Sequence, residues 1–183
     1  MLFRSVVSRD RAGMLAAMAS ALCAEGYDIT RADVATWADG AALEVFVVNG
    51  ASAPDADALN DALHAALDDM TAAGPITEIT FTFDDRASPW HTVCEIEAQE
   101  REGLLADVAA VLHAAAVTIR SASAVSRNGR AYDVFELTMV NGRKLDRDTE
   151  ELIRSLAAVG VTRQRRRFRA PVLVANEPVA PLG

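Results

Sequence analysis

Two short motifs carry the residues best suited to chemistry, and that chemistry is noncovalent. Asp10-Arg11-Ala12-Gly13-Met14 and Glu100-Arg101-Glu102-Gly103-Leu104 both read acid, Arg, any residue, Gly, apolar, each where a strand gives way to an apolar helix. A glycine at such a turn lets the backbone come close to a small molecule, and the free N–H groups of the helix's first turn hold a carboxylate. The plainer reading is a capped turn, in which Asp10 or Glu100 steadies the helix N-terminus and the glycine relieves a bend. Covalent chemistry has no comparable support. Cys23 and Cys94 sit in apolar-periodic segments as small hydrophobes, too few for a disulfide framework or a zinc site. His64, His91 and His113 form no metal-ligand or catalytic spacing, and G-x-S-x-G, glycine-rich phosphate loops and H-E-x-x-H are absent. The expectation is a chain with no catalytic residue, no metal and no cofactor of its own.

The two motifs belong to an internal repeat. Arg11, Gly13, Leu15, Ala16 and Ala19 recur as Arg101, Gly103, Leu105, Ala106 and Ala109, an offset of 90 that Ile29 and Ala32 keep to Ile119 and Ala122. Val48-Asn49-Gly50 then matches Val140-Asn141-Gly142 at an offset of 92, which predicts a two-residue insertion in the hairpin near Asn128-Gly129.

Each copy reads strand, helix, strand, strand, helix, strand. Cys94, Ile96 and Ala98 alternate with polar residues, and Leu105, Val108 and Leu112 form a helical stripe that Leu15, Met18 and Leu22 repeat. Second and third strands follow at Ile29 to Val34 and Leu43 to Val48, and at Ile119 to Val125 and Val134 to Val140. Gly40 and Asn128-Gly129 supply the turns. Second helices carry Leu59, Leu63, Leu67 and Met70, or Leu152, Ile153 and Leu156, before closing strands at Ile76 to Phe83 and Val161 to Phe168. The fold class is α+β: two ferredoxin-like βαββαβ domains, each a four-stranded antiparallel sheet with two helices on one face. Residues 1–84 form the first domain, 85–90 a linker, 91–169 the second domain and 170–183 a flexible tail.

A βαββαβ unit carrying this motif resembles the ACT domain, a small-molecule regulatory module of amino-acid metabolism. Tyr132-Asp133-Val134-Phe135 followed by Asn141-Gly142-Arg143-Lys144-Leu145 makes the second copy most similar to the C-terminal end of the bifunctional uridylyltransferases and uridylyl-removing enzymes that modify the PII nitrogen-signalling protein. The resemblance implies a glutamine sensor, with upstream catalytic domains as partners, PII as an indirect one, and pairing of ACT units within or between chains. It places the ligand between the glycine turn of one unit and the start of the second strand of another. The implied ligand residues are Asp10, Arg11, Gly13, Met14, Asp28, Ile29, Glu100, Arg101, Gly103, Leu104, Thr118 and Ile119. Asparagine is frequent in the family where this chain has Asp28 and Thr118; an acidic Asp28 suits an α-amino group, while Thr118 carries no charge. A freestanding tandem ACT regulator resembling the glycine cleavage repressor, and a module that binds protein and no metabolite, are the competing readings.

Composition agrees with a regulatory module. The 183 residues are 51% hydrophobic and 24% charged, with a net charge of −8, which disfavours nucleic acid and anionic membranes as partners. Without a membrane-length apolar run or a secretion signal, the expected location is cytoplasmic. Basic charge gathers at Arg163, Arg165, Arg166, Arg167 and Arg169, read as a charged edge strand or, alternatively, a docking strip for an acidic surface. Leu2-Phe3-Arg4-Ser5 matches a translated sequencing adapter, and Arg4 falls opposite core-facing Cys94 in the repeat. Residues 1–5 are therefore expected to be non-native, and the chain a piece of a longer protein.

Overall fold

The computed structural model describes residues 2–9 and 68 as backbone and residues 13–37, 41–50, 55–67 and 73–161 in full. Chain order is β1 (Leu2–Arg9), α1 (Met14–Ala24), β2 (Asp28–Thr36), β3 (Ala41–Asn49), α2 (Ala56–Asp68), β4 (Ile79–Asp84), then β5 (Thr92–Gln99), α3 (Leu104–Ala114), β6 (Val117–Arg127), β7 (Arg130–Met139) and α4 (Arg147–Val159). Apolar alternation builds the strands: Thr92, Cys94, Ile96 and Ala98 of β5 are buried while Glu95 and Glu97 between them are exposed. The helices exceed the single stripe that the sequence predicts. Eight residues each of α1 and α3 are buried, because α1 packs against α2 and α3 while both lie on the sheet.

Two ferredoxin-like units share one antiparallel sheet of seven described strands, in the order β1-β3-β2-β6-β7-β5-β4. The units meet where β2 runs antiparallel to β6, and Asp33 pairs there with Ser123, its own counterpart at the repeat offset. That register is the signature of a local two-fold axis between the copies. The Ser123 hydroxyl donates to Asp33 Oδ1 at 3.2 Å across it, and Arg31 holds the same carboxylate from Nε at 2.7 Å.

The closing strand of the first copy does not return to its own unit. β4 pairs with β5, along Ile79↔Ala98 to Asp84↔Val93, on the far edge of the second unit. Chain length explains the exchange. Beside β1, β4 would stand across the sheet from β5, about 29 Å away at 4.8 Å per strand. Residues 85–91 reach only about 27 Å fully extended, so β4 and β5 form a hairpin instead. The segment leading into β4 crosses the end of α4: Ala73 and Val161 exchange backbone bonds of 3.1 and 2.8 Å, and Ile76 N–H donates to Ala157 at 2.8 Å. Gly160 permits the crossing, since a Cβ there would stand 2.7 Å from the Ala73 oxygen.

Strand register corrects the predicted insertion. Phe46 pairs with Ala32 as Phe135 pairs with Ala122, so β3 matches β7 at an offset of 89. The second hairpin, turning tightly through Asn128 and Gly129 at positive φ, is thus the shorter one. Asn141-Gly142 lies beyond β7 in a separate turn, closed by a bond from Gly142 N–H to Met139 O at 2.8 Å, and is not the counterpart of Asn49-Gly50. Packing sets the register: Phe46 and Phe135 are both fully buried, as is Ile153 of α4, whereas Leu152 is exposed. Arg4 is the register partner of Phe46, as Cys94 is of Phe135. Asp10, Arg11, Gly40, Met70, the arginine run at 163–169 and the tail lie outside the described residues.

Candidate functional site

Both glycine turns have the geometry that their sequence requires. Gly13 and Gly103 precede their helices at φ 84° and 75°, in the left-handed region that glycine enters without a Cβ penalty. Among the described residues no side-chain cap bond is made at either helix start. Glu100 does not cap α3: its Oε1 accepts from the Arg101 N–H at 3.0 Å and its Oε2 accepts from the Ser126 hydroxyl. A 3.0 Å bond from Glu100 N–H to Gly129 O ties the turn to the β6–β7 hairpin. Arg101 is tied to the turn and the helix it opens, with Nη1 donating to the Glu102 carbonyl at 3.2 Å and Nη2 on Asp107 Oδ2 at 2.5 Å.

Each turn overlies a cavity completed by the other unit. The first, about 390 Å³ including its open mouth, joins Glu100, Arg101, Gly103 and Leu104 to Asp28 and Ile29. The second, about 650 Å³ with its open mouth likewise included, joins Gly13 and Met14 to Thr118 and Ile119. The described residues implied by the ACT resemblance thus fall into two sets, each drawn from both copies. Their linings correspond through the two-fold: Cys23 with His113, Ala124 with Val34, Ser126 with Thr36, Ala131 with Ala42, and Asp133 with Glu44. The exchange of roles follows from the β2–β6 pairing, which sets the start of each second strand beside the opposite hairpin.

The final pair is the feature that sequence reading missed. Asp133 and Glu44 are 3% and 2% exposed, on the inner face of β7 and β3, where a carboxylate has little water to solvate its charge. Burial pushes the Asp133 carboxyl up to about 7; a hydrogen bond from the Val125 backbone opposes the shift and the nearby Glu100 charge adds to it. Burial likewise raises the Cys23 thiol, against a hydrogen bond from the Gly103 backbone that lowers it. By contrast, Asp28, the acid to which the motif draws attention, is exposed. The signal that marks the inner acids is acid-Val-Phe in both third strands, Glu44-Val45-Phe46 and Asp133-Val134-Phe135. Among the described residues no cluster of acids, histidines or cysteines is arranged to hold a metal ion, and no helix is long and apolar enough to cross a membrane.

No family model matches the chain. The bifunctional uridylyltransferase/uridylyl-removing enzyme of Azospirillum brasilense is 30% identical over 182 aligned positions, covering 84% of this chain and 20% of the enzyme. That of Gluconobacter oxydans is 30% identical, with 86% and 20% covered, and that of Caulobacter vibrioides is 32% identical, with 80% and 18% covered. This chain resembles a region of the bifunctional uridylyltransferase/uridylyl-removing enzymes. It spans about one fifth of the length of these relatives. Among solved structures, protein BT0572 from Bacteroides thetaiotaomicron aligns with 87% of this chain and 90% of its own, at 16% identity and a TM-score of 0.30.

Proposed function

We propose that this chain is the amino-acid-sensing region of a bifunctional uridylyltransferase/uridylyl-removing enzyme, a tandem ACT module whose ligand is glutamine. The observation that carries this reading is the pair of two-fold-related cavities, each roofed by a glycine turn of one unit and walled by the second strand of the other. First-turn amides at Leu105 and Ala106, or Leu15 and Ala16, hold the carboxylate, and the facing strand start contacts the rest of the molecule. A ligand seated this way touches both units at once. It therefore stabilises one relative placement of them, and that differential affinity biases the catalytic domains between modifying PII and unmodifying it.

A thermal-melt screen of the twenty amino acids tests the proposal. At a hundredfold excess over its dissociation constant, a ligand bound only to the native state stabilises it by about 2.7 kcal/mol, well within resolution. Glutamine is expected to give the largest shift. A melt unmoved by every amino acid refutes the reading and favours a module that binds protein alone.

A further inference from the structure

We propose that Asp133 receives the cationic nitrogen of the ligand in the cavity beneath Gly103, so that this site takes only ligands with an ammonium group beside their carboxylate. The inference rests on the amino-acid reading above and adds the group that recognises the amine.

Three observations support it. Asp133 lies on the inner face of β7, 3% exposed, and lines this cavity together with Gly103 and Leu104. Its carboxyl accepts a hydrogen bond from the Val125 backbone, leaving acceptor capacity for more donors, and it pairs with no cation among the described residues. The acid is also placed twice: Glu44 occupies the two-fold-related position in the other cavity, buried to the same degree. A buried acid at equivalent positions of two copies, each beneath a turn suited to a carboxylate, complements the two ends of an amino acid.

The surroundings make the first cavity receptive to a cation. The ionisable groups lining it besides Asp133 are Asp28 at the start of β2, Cys23 of α1, and Glu100 and Arg101 of the turn. Arg101 is engaged by Asp107 and the Glu102 carbonyl. The remaining carboxylates are of the same sign as Asp133, so an ammonium entering there relieves repulsion as well as desolvation.

The test follows the amide signals of Gly103 and Leu104 in an isotope-labelled full chain, a readout that separates this cavity from the one at Gly13 and Met14. Glutamine and its des-amino analogue glutaramate are titrated in turn, as is any other amino acid that shifts the melt, beside its own des-amino acid. At the Gly103 signals the amino acid is expected to bind at least about tenfold more tightly than the des-amino acid, the scale of a charged hydrogen bond. Asp133→Asn, nearly isosteric, is expected to abolish that preference while the Gly13 signals respond as in the parent. Binding at Gly103 is further expected to tighten several-fold between pH 6 and pH 8 in the parent and to stay flat in Asp133→Asn. Equal binding of the two compounds by the parent, or an intact preference in Asp133→Asn, overturns this inference and leaves the amino-acid reading standing. No response to any amino acid overturns both.

Discussion

Replacing Asp133 by Asn makes the chain more stable above neutral pH and leaves it nearly unchanged near pH 4. The magnitude follows from the carboxyl's burial. Its ordinary value is 3.8 and its folded value about 7, so the folded state holds a proton over a range where the unfolded chain has released it. Stability therefore falls as pH rises from about 4 to about 7, and the gap between the two values corresponds to about 4 kcal/mol. Asparagine has no charge to bury and can keep the hydrogen bond from the Val125 backbone. Urea unfolding of the parent and Asp133→Asn at pH 4 and pH 8, without ligand, gives the difference directly, because other titrating groups are common to both chains. The advantage of the variant is expected to grow by about 4 kcal/mol across that interval. An advantage independent of pH, or one larger at pH 4, refutes the argument that an uncompensated buried carboxyl stands beside the cavity.

Three further outcomes follow from the same geometry. Gly103→Val is expected to lose about 1–2 kcal/mol of stability from a β-branched residue at φ 75°, and to weaken amino-acid binding at its own cavity more than at Gly13; calorimetry with glutamine that matches the parent would sink the turn's role. Gly160→Ala, which sets a Cβ 2.7 Å from the Ala73 oxygen, should cost about 2 kcal/mol or more by crowding and strain, read as a lower urea midpoint; an unchanged midpoint would count against the crossing of the two segments. Residues 85–183 expressed alone lose the strand that β4 lays against β5 and are expected to gain stability when a peptide of residues 76–84 is added; a urea midpoint unmoved by that peptide would speak against the strand exchange.

How much of this was legible in the sequence depended on which physical rule each feature obeys. Cys94, Ile96 and Ala98, and Leu105, Val108 and Leu112, announced their elements because a single buried face imposes a period. The repeat of Gly13 at Gly103 gave both turns, since only glycine suits that backbone. The edge on which β4 docks was not legible, because its pattern fits either edge and the choice rests on linker reach. Asp133 and Glu44 escaped notice for a related reason. In Leu43-Glu44-Val45-Phe46-Val47-Val48 both faces of the strand are largely apolar, so alternation does not say which is inner, and an acid reads by default as outward. The match of Val48-Asn49-Gly50 to Val140-Asn141-Gly142 misled because three identical residues near a strand end outweighed the packing of Phe46 and Phe135, which fixes the register.

The central claim is that each site is assembled from both units and holds an amino acid. Titration of the isotope-labelled parent chain with glutamine, followed at the amides of Gly103 and Leu104 in one unit and Asp28 and Ile29 in the other, tests it most directly. The account predicts that all four signals move along one saturating curve with a single dissociation constant. Movement on one side of the cavity alone, or no movement at saturating glutamine, contradicts it.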